Sequence, residues 1–460
     1  MRTTLVMPSV LSEKLIELTT NERETAGVAF GRLVINDNGD SRLLVTEFIL
    51  VPEDCYDIRE SDRLQIRSEG YVHPLRMAEE DSKIAIWFHT HPGEDSTPRP
   101  SHHDKKVDSQ ISSVFRIRTG SEYYGSLILS HSGNQLKFTG FLEGDSGVNE
   151  INRIIIVGDH MSLIWNDFLK QPSLDAIFDR NIRAFGGDVQ RILNDLYIAV
   201  VGCGGTGSAA IEQLVRLGVR RFLLIDGDKL SDHNVTRVYG STPKDVGRWK
   251  VDVLGDYIKQ IAPNADVVYE RTNITIESTA RKLCNTDIVF GCTDDNAGRL
   301  ILSRLATFML IPVFDCGVLL SSDLSGKLSG IYGRVTVLYP GVACLLCRDR
   351  IDVARAGAEM MTPDERNRLA DEGYAPVLGR VEPAVVSFTS LVASTAVSEL
   401  LERFTGFGPD QTPSEIILRI HDRELSTNTQ LPREGHYCDQ HSTKIGLGVT
   451  EPLMEIVWQK

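Results

Sequence analysis

LYIAVVGCGGTGSAAIEQLVRLGVRRFLLID, residues 196–226, reads as a strand, a glycine-rich turn, a helix and a second strand in that order. Gly202, Gly204 and Gly207 form G-x-G-x-x-G directly after an apolar run. Glycine suits that turn because backbone amides must approach phosphate closely, while the following helix N-terminus favours negative charge. Asp226 ends the second strand, where a carboxylate can reach a ribose hydroxyl. These features predict a nucleotide site but do not choose between NAD and ATP.

The residues that follow make that choice. DGDKLSDHNVTRVYG and VGRWK place Asp226, Asp228, Asn234, Arg237 and Lys250 after the second strand, and FGCTDDNAGR places Asp294, Asp295 and Arg299 after a later one. Cations and an amide suit a triphosphate better than a nicotinamide, and a carboxylate at a strand end suits Mg²⁺. Singly, each is an ordinary loop charge; their joint order argues for an ATP site. Further strand-like runs at DVVYE, DIVFGCT and IPVFDC alternate with amphipathic helices, which predicts a doubly wound, Rossmann-like parallel sheet. A helical segment, Leu174–Leu193, leads into this domain, expected to span 174–460.

Residues 1–158 have another texture. Short β-like runs (GVAFGRLVI, RLLVTEFILV, IAIWFHT, YGSLILS, LKFTGFL) alternate with polar turns and one early helical pattern, Leu11–Leu18. This predicts a separate α+β domain with a mostly β core. Within it, His89 and His91 stand at alternate positions at a strand end, and Asp104 follows a turn-rich segment. Two histidines and one carboxylate leave a fourth tetrahedral position open, the pattern of a catalytic zinc.

A second zinc is expected near the C-terminus. Cys344 and Cys347 form C-x-x-C, half of a tetrahedral site. Cys438-Asp-Gln-His441 is the expected other half, with His436 as a competing ligand. A closed four-ligand site is structural.

Bulk properties narrow the partners. A net charge of −14 over 460 residues argues against non-specific binding to nucleic acid or anionic membrane. No apolar run reaches the length of a membrane span, the N-terminus lacks a secretory signal pattern, and eight cysteines are too sparse for a disulfide framework. The expected location is the cytoplasm.

Over roughly Ala176–Gly341 the sequence resembles the ubiquitin-activating enzymes of the bacterial ThiF/MoeB type. Asp226, Asp228, Asn234, Arg237 and Lys250 match the family's D-x-D…N-x-x-R…K, and Thr293-Asp294 matches the start of its magnesium-holding T-D-N, with Asp295 in place of asparagine. The resemblance implies ATP-dependent adenylation of the C-terminal carboxylate of a ubiquitin-like protein. It assigns Asp294 to Mg²⁺ and Arg237, Lys250 and Arg180 to the triphosphate. Arg180 would reach the partner subunit's site, which implies a homodimer. The family uses C-x-x-C twice, so His441 in place of a cysteine is a departure.

The first domain resembles the JAB/MPN (JAMM) metalloproteases, whose motif is a glutamate, then H-x-H…S-x-x-D. Glu24, His89, His91, Ser101 and Asp104 meet it, with nine residues between His91 and Ser101, two more than the commonest form. The resemblance implies Glu24 as general base, with Glu22 a weaker candidate, and Ser101 as oxyanion stabiliser. Together the two resemblances imply a bacterial ubiquitin-like conjugation system, antiviral in role, with a conjugating enzyme as a further partner. The alternative is activation of a sulfur-carrier protein for thiamin or molybdopterin synthesis.

One family feature is missing. Members capture the adenylate on a cysteine after the first zinc pair, yet Arg348–Tyr437 contains none, and Tyr374 and Pro376 stand where the nucleophile would align. Three outcomes stay open: release at the adenylate, which is preferred; an oxyester on Thr362; or a thioester on Cys316.

Overall fold

A computed structural model of the chain describes residues 2–36, 38–93, 97–323, 327–362, 365–366 and 384–458. Tyr374 and Pro376 lie outside these. The chain divides into Met1–Gln171 with Gly446–Gly448, and Pro172–Ile445 with Val449–Lys460.

In the first unit the deciding run is IAIWFHT. Side chains alternate across a strand, and here both faces are covered. Ile84, Ile86 and Phe88 enter an aliphatic core with Leu127, Phe138 and Ile154, while Ala85 and Trp87 enter an aromatic one with Phe115 and Tyr124. The strands are β1 (Thr3–Pro8), β2 (Ala26–Ile35), β3 (Ser41–Leu50), β4 (Tyr56–Arg59), β5 (Leu64–Ile66), β6 (Ile84–Thr90), β7 (Tyr124–Ser132), β8 (Gln135–Gly144), β9 (Gly147–Val157) and β10 (Ser162–Trp165). Eight form one mixed sheet in the order β1-β3-β2-β6-β7-β8-β9-β10, and β1 also pairs with β9, so the sheet closes on itself. β4 and β5 form a separate ribbon. The helix Ser9–Thr19 carries the expected Leu11–Leu18 pattern. Two further helices, Glu69–Glu80 and His102–Thr119, fall where only turns and polar segments were expected. β10 extends the unit past Gly158 by pairing with β9.

The second unit contains β11 (Tyr197–Val201), β12 (Arg221–Ile225), β13 (Asp266–Glu270), β14 (Ile288–Gly291), β15 (Val313–Ser322), β16 (Leu328–Leu338), β17 (Glu415–Arg419) and β18 (Glu424–Asn428). Their order is β13-β12-β11-β14-β15-β16-β17-β18, parallel through β15 and antiparallel beyond it. The parallel strands are those read from the sequence. Buried on both faces, they are continuous apolar runs rather than alternating ones; Ile198, Ala199 and Val200 are wholly buried. Strand order reverses between β11 and β14, which opens the crevice where ligands bind in such sheets. The expected helix Leu174–Leu193 is broken: Gly186, at φ 89°, separates Asp179–Phe185 from Gly187–Asp195. No helix among the described residues is long and apolar enough to cross a membrane.

Candidate functional site

The glycine loop sits at the reversal point. Gly202 has φ 90°, and a methyl group there would lie 2.6 Å from the Cys292 carbonyl oxygen at the end of β14. A methyl on Gly207 would lie 1.9 Å from the Gly202 carbonyl oxygen. These two glycines let the loop fold. Gly204 differs: it precedes the helix Gly205–Leu217, and its missing side chain would meet nothing within 4 Å. Open space therefore lies at Gly204, just before the helix N-terminus, where phosphate oxygens fit.

Asp226 braces the loop from the end of β12. Its Oδ2 accepts from the Cys203 amide at 2.7 Å, and its Oδ1 accepts from the Asp228 amide at 2.8 Å. Lys250, first residue of the helix Lys250–Ile261, places Nζ 2.7 Å from Asp228 Oδ2 and 3.5 Å from Asp226 Oδ1. Burial pushes the Asp226 carboxyl up, against the pull of Lys250. Burial would lower the Lys250 ammonium, but Asp226 and Asp228 raise it above its ordinary value, so it stays charged. Both Asp226 oxygens are thus already engaged, whereas Asp228, bonded to Lys250 through Oδ2, is largely exposed and can also reach a hydroxyl or a cation. Arg237 lies over the loop, with Cδ 3.3 Å from where a Gly205 methyl would stand. Asn234 turns back to its own loop and accepts from the Ser231 amide and hydroxyl.

After β14 the two adjacent aspartates have different tasks. Asp295 caps the helix Asn296–Phe308, accepting from the Gly298 amide and the Thr293 hydroxyl. Asp294 is exposed and available to a cation. Asparagine caps helices as well as aspartate, so the T-D-D variation costs the fold nothing. Glu359, which sequence reading missed, accepts from the Asn296 and Ala297 amides at 2.6 and 2.9 Å. Arg180 is exposed on the helix Asp179–Phe185. Of the alternative nucleophiles, Cys316 is buried, with its thiol toward the Phe314 carbonyl. Thr362 shares reciprocal capping bonds with Glu365.

The thiol turn corrects one expected ligand. Cys344, Cys347, His436 and Cys438 converge, all donor atoms lying within 4.8 Å of one another. His436 Nδ1 lies 3.6, 3.4 and 3.2 Å from the three sulfurs, and Cys347 lies 3.7 Å from Cys438. Tetrahedral zinc with ordinary bond lengths requires ligand separations of roughly 3.6–3.8 Å, so the donor set fits. His441 does not join it; it is exposed, its ring beside the Gln440 amide and its backbone amide bonded to Asp439. A one-residue spacing brings His436 and Cys438 to the same turn. The Cys344 thiol is pulled down to about 5, chiefly by a hydrogen bond from Cys438.

In the first unit, His89 follows Ala85 and Trp87 onto the aromatic face of β6, and His91 lies just beyond. β2 runs antiparallel with Ala26 opposite His89, which carries Glu24 toward His91. Ser101 caps the helix His102–Thr119 and exchanges bonds with Asp104: its amide donates to Asp104 Oδ2 at 2.7 Å, and its oxygen accepts from the Asp104 amide. The result is a cluster of His89, His91 and Asp104. His89 Nε2 lies 3.2 Å from His91 Nε2 and 3.4 Å from Asp104 Oδ1; His91 Nε2 lies 3.7 Å from Asp104 Oδ2 and 3.9 Å from Glu24 Oε1. Tetrahedral zinc with nitrogen and oxygen ligands requires separations of roughly 3.3 Å, so this set fits too. Burial, then the neighbouring His89, lowers His91 to about 4, which leaves its ring neutral as a ligand must be. Burial alone would raise Asp104, but its bonds to His89 and the Ser101 amide hold it well below the usual range. Glu24 is buried beside the cluster.

A glycine-cradled crevice at a strand-order reversal, lined by lysine, arginine and aspartates and joined to a thiol turn, defines a nucleotide-binding α/β protein. Residues 178–436 match the ThiF family, more than half of the chain, and the chain belongs to that family. Among curated relatives, it is 28% identical over 127 residues to the adenylyltransferase and sulfurtransferase uba4 of Aspergillus niger, covering 28% of this chain and 26% of that protein. It is 28% identical over 169 residues to ubiquitin-like modifier-activating enzyme 5 of Bombyx mori, covering 34% and 41%. The matches thus span about a quarter to two-fifths of these relatives. Among solved structures, E. coli MccB with ATP superposes with a TM-score of 0.45 at 17% identity, covering 58% of this chain and 75% of that one.

Proposed function

We propose that this chain uses ATP to adenylate the C-terminal carboxylate of a ubiquitin-like protein. The observation that carries this reading is the open space at Gly204 before a helix N-terminus, with the charged Lys250 and Arg237 nearby and the exposed Asp294 after β14. In the reaction a carboxylate oxygen attacks the α-phosphorus of ATP and pyrophosphate leaves, giving the acyl-adenylate. Negative charge grows on the phosphates, and cations fixed in place beforehand stabilise it without reorganising. Lys250 is fixed by two aspartates; Arg237 is fixed by its position over the loop and a bond to the His233 carbonyl. Asp294 and Asp228 are the groups that would hold Mg²⁺, which would neutralise phosphate charge when bound. Arg180, exposed on a surface helix, is suited to act in a second subunit's site, so a homodimer is part of the reading. With no cysteine between Arg348 and Tyr437, the adenylate passes to a conjugating enzyme or another acceptor directly.

The first unit is proposed as a JAMM-type zinc peptidase for the same substrate. His89, His91 and Asp104 would hold the zinc, which supplies Lewis acidity toward water and carbonyl oxygen. Glu24, buried 3.9 Å from His91, is placed to take a proton at its Oε1. Ser101 holds Asp104 in place through its amide and keeps its hydroxyl proton to donate. Cys344, Cys347, His436 and Cys438 are proposed as the ligands of a structural zinc.

The test is ATP–pyrophosphate exchange with a panel of ubiquitin-like proteins ending in diglycine. Exchange that requires one of them, and is lost when its terminal glycine is removed, supports the reading; exchange indifferent to all of them would defeat it.

A further inference from the structure

Beyond the nucleotide cradle, β15, β16 and β17 carry a buried run of charge. Asp315 is wholly buried, and its Oδ2 accepts from Arg334 Nη2 at 2.6 Å. Arg334 Nη1 donates to Thr336 at 2.8 Å and lies 3.8 Å from Glu415. Glu415, also wholly buried, accepts from Arg348, Arg350 and Asn428. Arg348 and Arg350 follow Cys347, so this end of the run is anchored at the thiol turn. The other end is Arg299, whose Nε lies 3.7 Å from Asp315 Oδ1. That separation is too long for a hydrogen bond. Arg299 Nε and Asp315 Oδ1 are both buried without a hydrogen-bond partner.

Arg299 is the anomaly. Four guanidiniums (Arg299, Arg334, Arg348, Arg350) face two carboxylates (Asp315, Glu415), an excess of two positive charges. Arg350 is 36% exposed, so water carries part of that excess. Arg348 is fully buried but bonds to the Ala343 carbonyl, Ser414 and Glu415. The Arg299 side chain is only 18% exposed, and among the described residues its guanidinium makes no hydrogen bond. Burying donors unused is costly, and charged ones more so. A ligand that fills them recovers that cost.

The surroundings say what the ligand is. Arg299 stands one helical turn after Asp295. A methyl group on Gly317 would lie 3.2 Å from Arg334 Nη2 and 3.8 Å from Arg299 Nη2. Two guanidiniums therefore converge over a stretch of β15 that has no side chain in the way. Planar forks of this kind match the paired oxygens of carboxylates and phosphates.

We propose that Arg299 and Arg334 form an oxyanion-binding site over Gly317, with Asp315 as the positioning residue that holds both guanidiniums. The naming of its occupants rests on the adenylation reading: the substrate's carboxylate before attack, or pyrophosphate after it.

The experiment uses the full chain and its Arg299→Met, Arg299→Lys and Asp315→Asn variants, with thermal melts to verify folding. KM values for ATP, pyrophosphate and the diglycine-ended protein are measured separately in the exchange reaction. Arg299→Met should raise one of the last two by about 10- to 100-fold, the loss expected for a charge-assisted bond, with the ATP KM within about twofold. A shift in the protein's KM identifies the carboxylate as occupant; a shift in pyrophosphate's KM identifies the leaving group. Arg299→Lys should recover little of the loss, because a point charge cannot replace the fork. Asp315→Asn should move the same constant in the same direction, and native constants in that variant would remove its positioning role. Arg299→Met with both constants unchanged overturns the site. A native chain without exchange defeats the adenylation reading instead, and calorimetry with pyrophosphate then decides: tenfold weaker binding by Arg299→Met supports the site, and unchanged binding overturns it.

Discussion

Gly204 and Gly207 belong to one motif but owe their identity to different forces. Gly207 is glycine because a methyl there would overlap the Gly202 carbonyl; at Gly204 no protein atom would meet a methyl, so on the proposed function it is the nucleotide that needs the space. Gly207→Ala should therefore destabilise the second unit by roughly 2–4 kcal/mol, the scale of overpacking with backbone shift, seen as a lower melting temperature without ligand. Gly204→Ala should melt like the native chain yet lose ATP binding by calorimetry. The thiol turn separates two histidines in the same way. His436→Ala should lose zinc and melt earlier, while His441→Ala should retain one zinc at this turn; metal content per chain checks both. From sequence the two were indistinguishable as ligands, because spacing alone does not say which turn brings a ring beside Cys438.

At the level of elements, the helix Asn296–Phe308 shows how neighbouring residues divide labour. Asp295 and Glu359 satisfy its first amides, and Asp294, one position earlier, is left to the site. Asp295→Ala should cost about 1 kcal/mol of stability through the lost cap, and Asp295→Asn much less. Asp294→Ala should leave the melting temperature unchanged but abolish exchange. A reversed pattern would mean the cation site had been assigned to the wrong aspartate. All five parallel strands were legible because each is a short apolar run closed by a turn. The helices Glu69–Glu80 and His102–Thr119 were not: Pro74 interrupts the first, the second opens with histidines and charges, and both keep long polar faces to solvent. Glu359, Asp315 and Glu415 escaped for a related reason. A carboxylate far along the chain gives no local sign of the amide or guanidinium it will meet.

On the scale of the whole molecule, the two units each assemble a site from residues of their own. Glu24, His89, His91 and Asp104 come together through β2, β6 and one helix start. Asp226, Asp228 and Lys250 come together through the ends of β12 and its following loop. The sequence showed both groups because each lies at strand or helix ends of a single sheet, where order along the chain predicts proximity in space. It follows that the two proposed activities should be separable by single substitutions. Glu24→Gln in the full chain should remove cleavage of a ubiquitin-like protein extended at its C-terminus, with native zinc content and native pyrophosphate exchange. Lys250→Met should leave that cleavage intact and reduce exchange by at least about 100-fold, since a desolvated charge-assisted contact is worth roughly 2–3 kcal/mol and more as charge grows on the phosphates. Exchange that survives Lys250→Met would place the triphosphate elsewhere. Cleavage that survives Glu24→Gln would remove Glu24 from the role of general base.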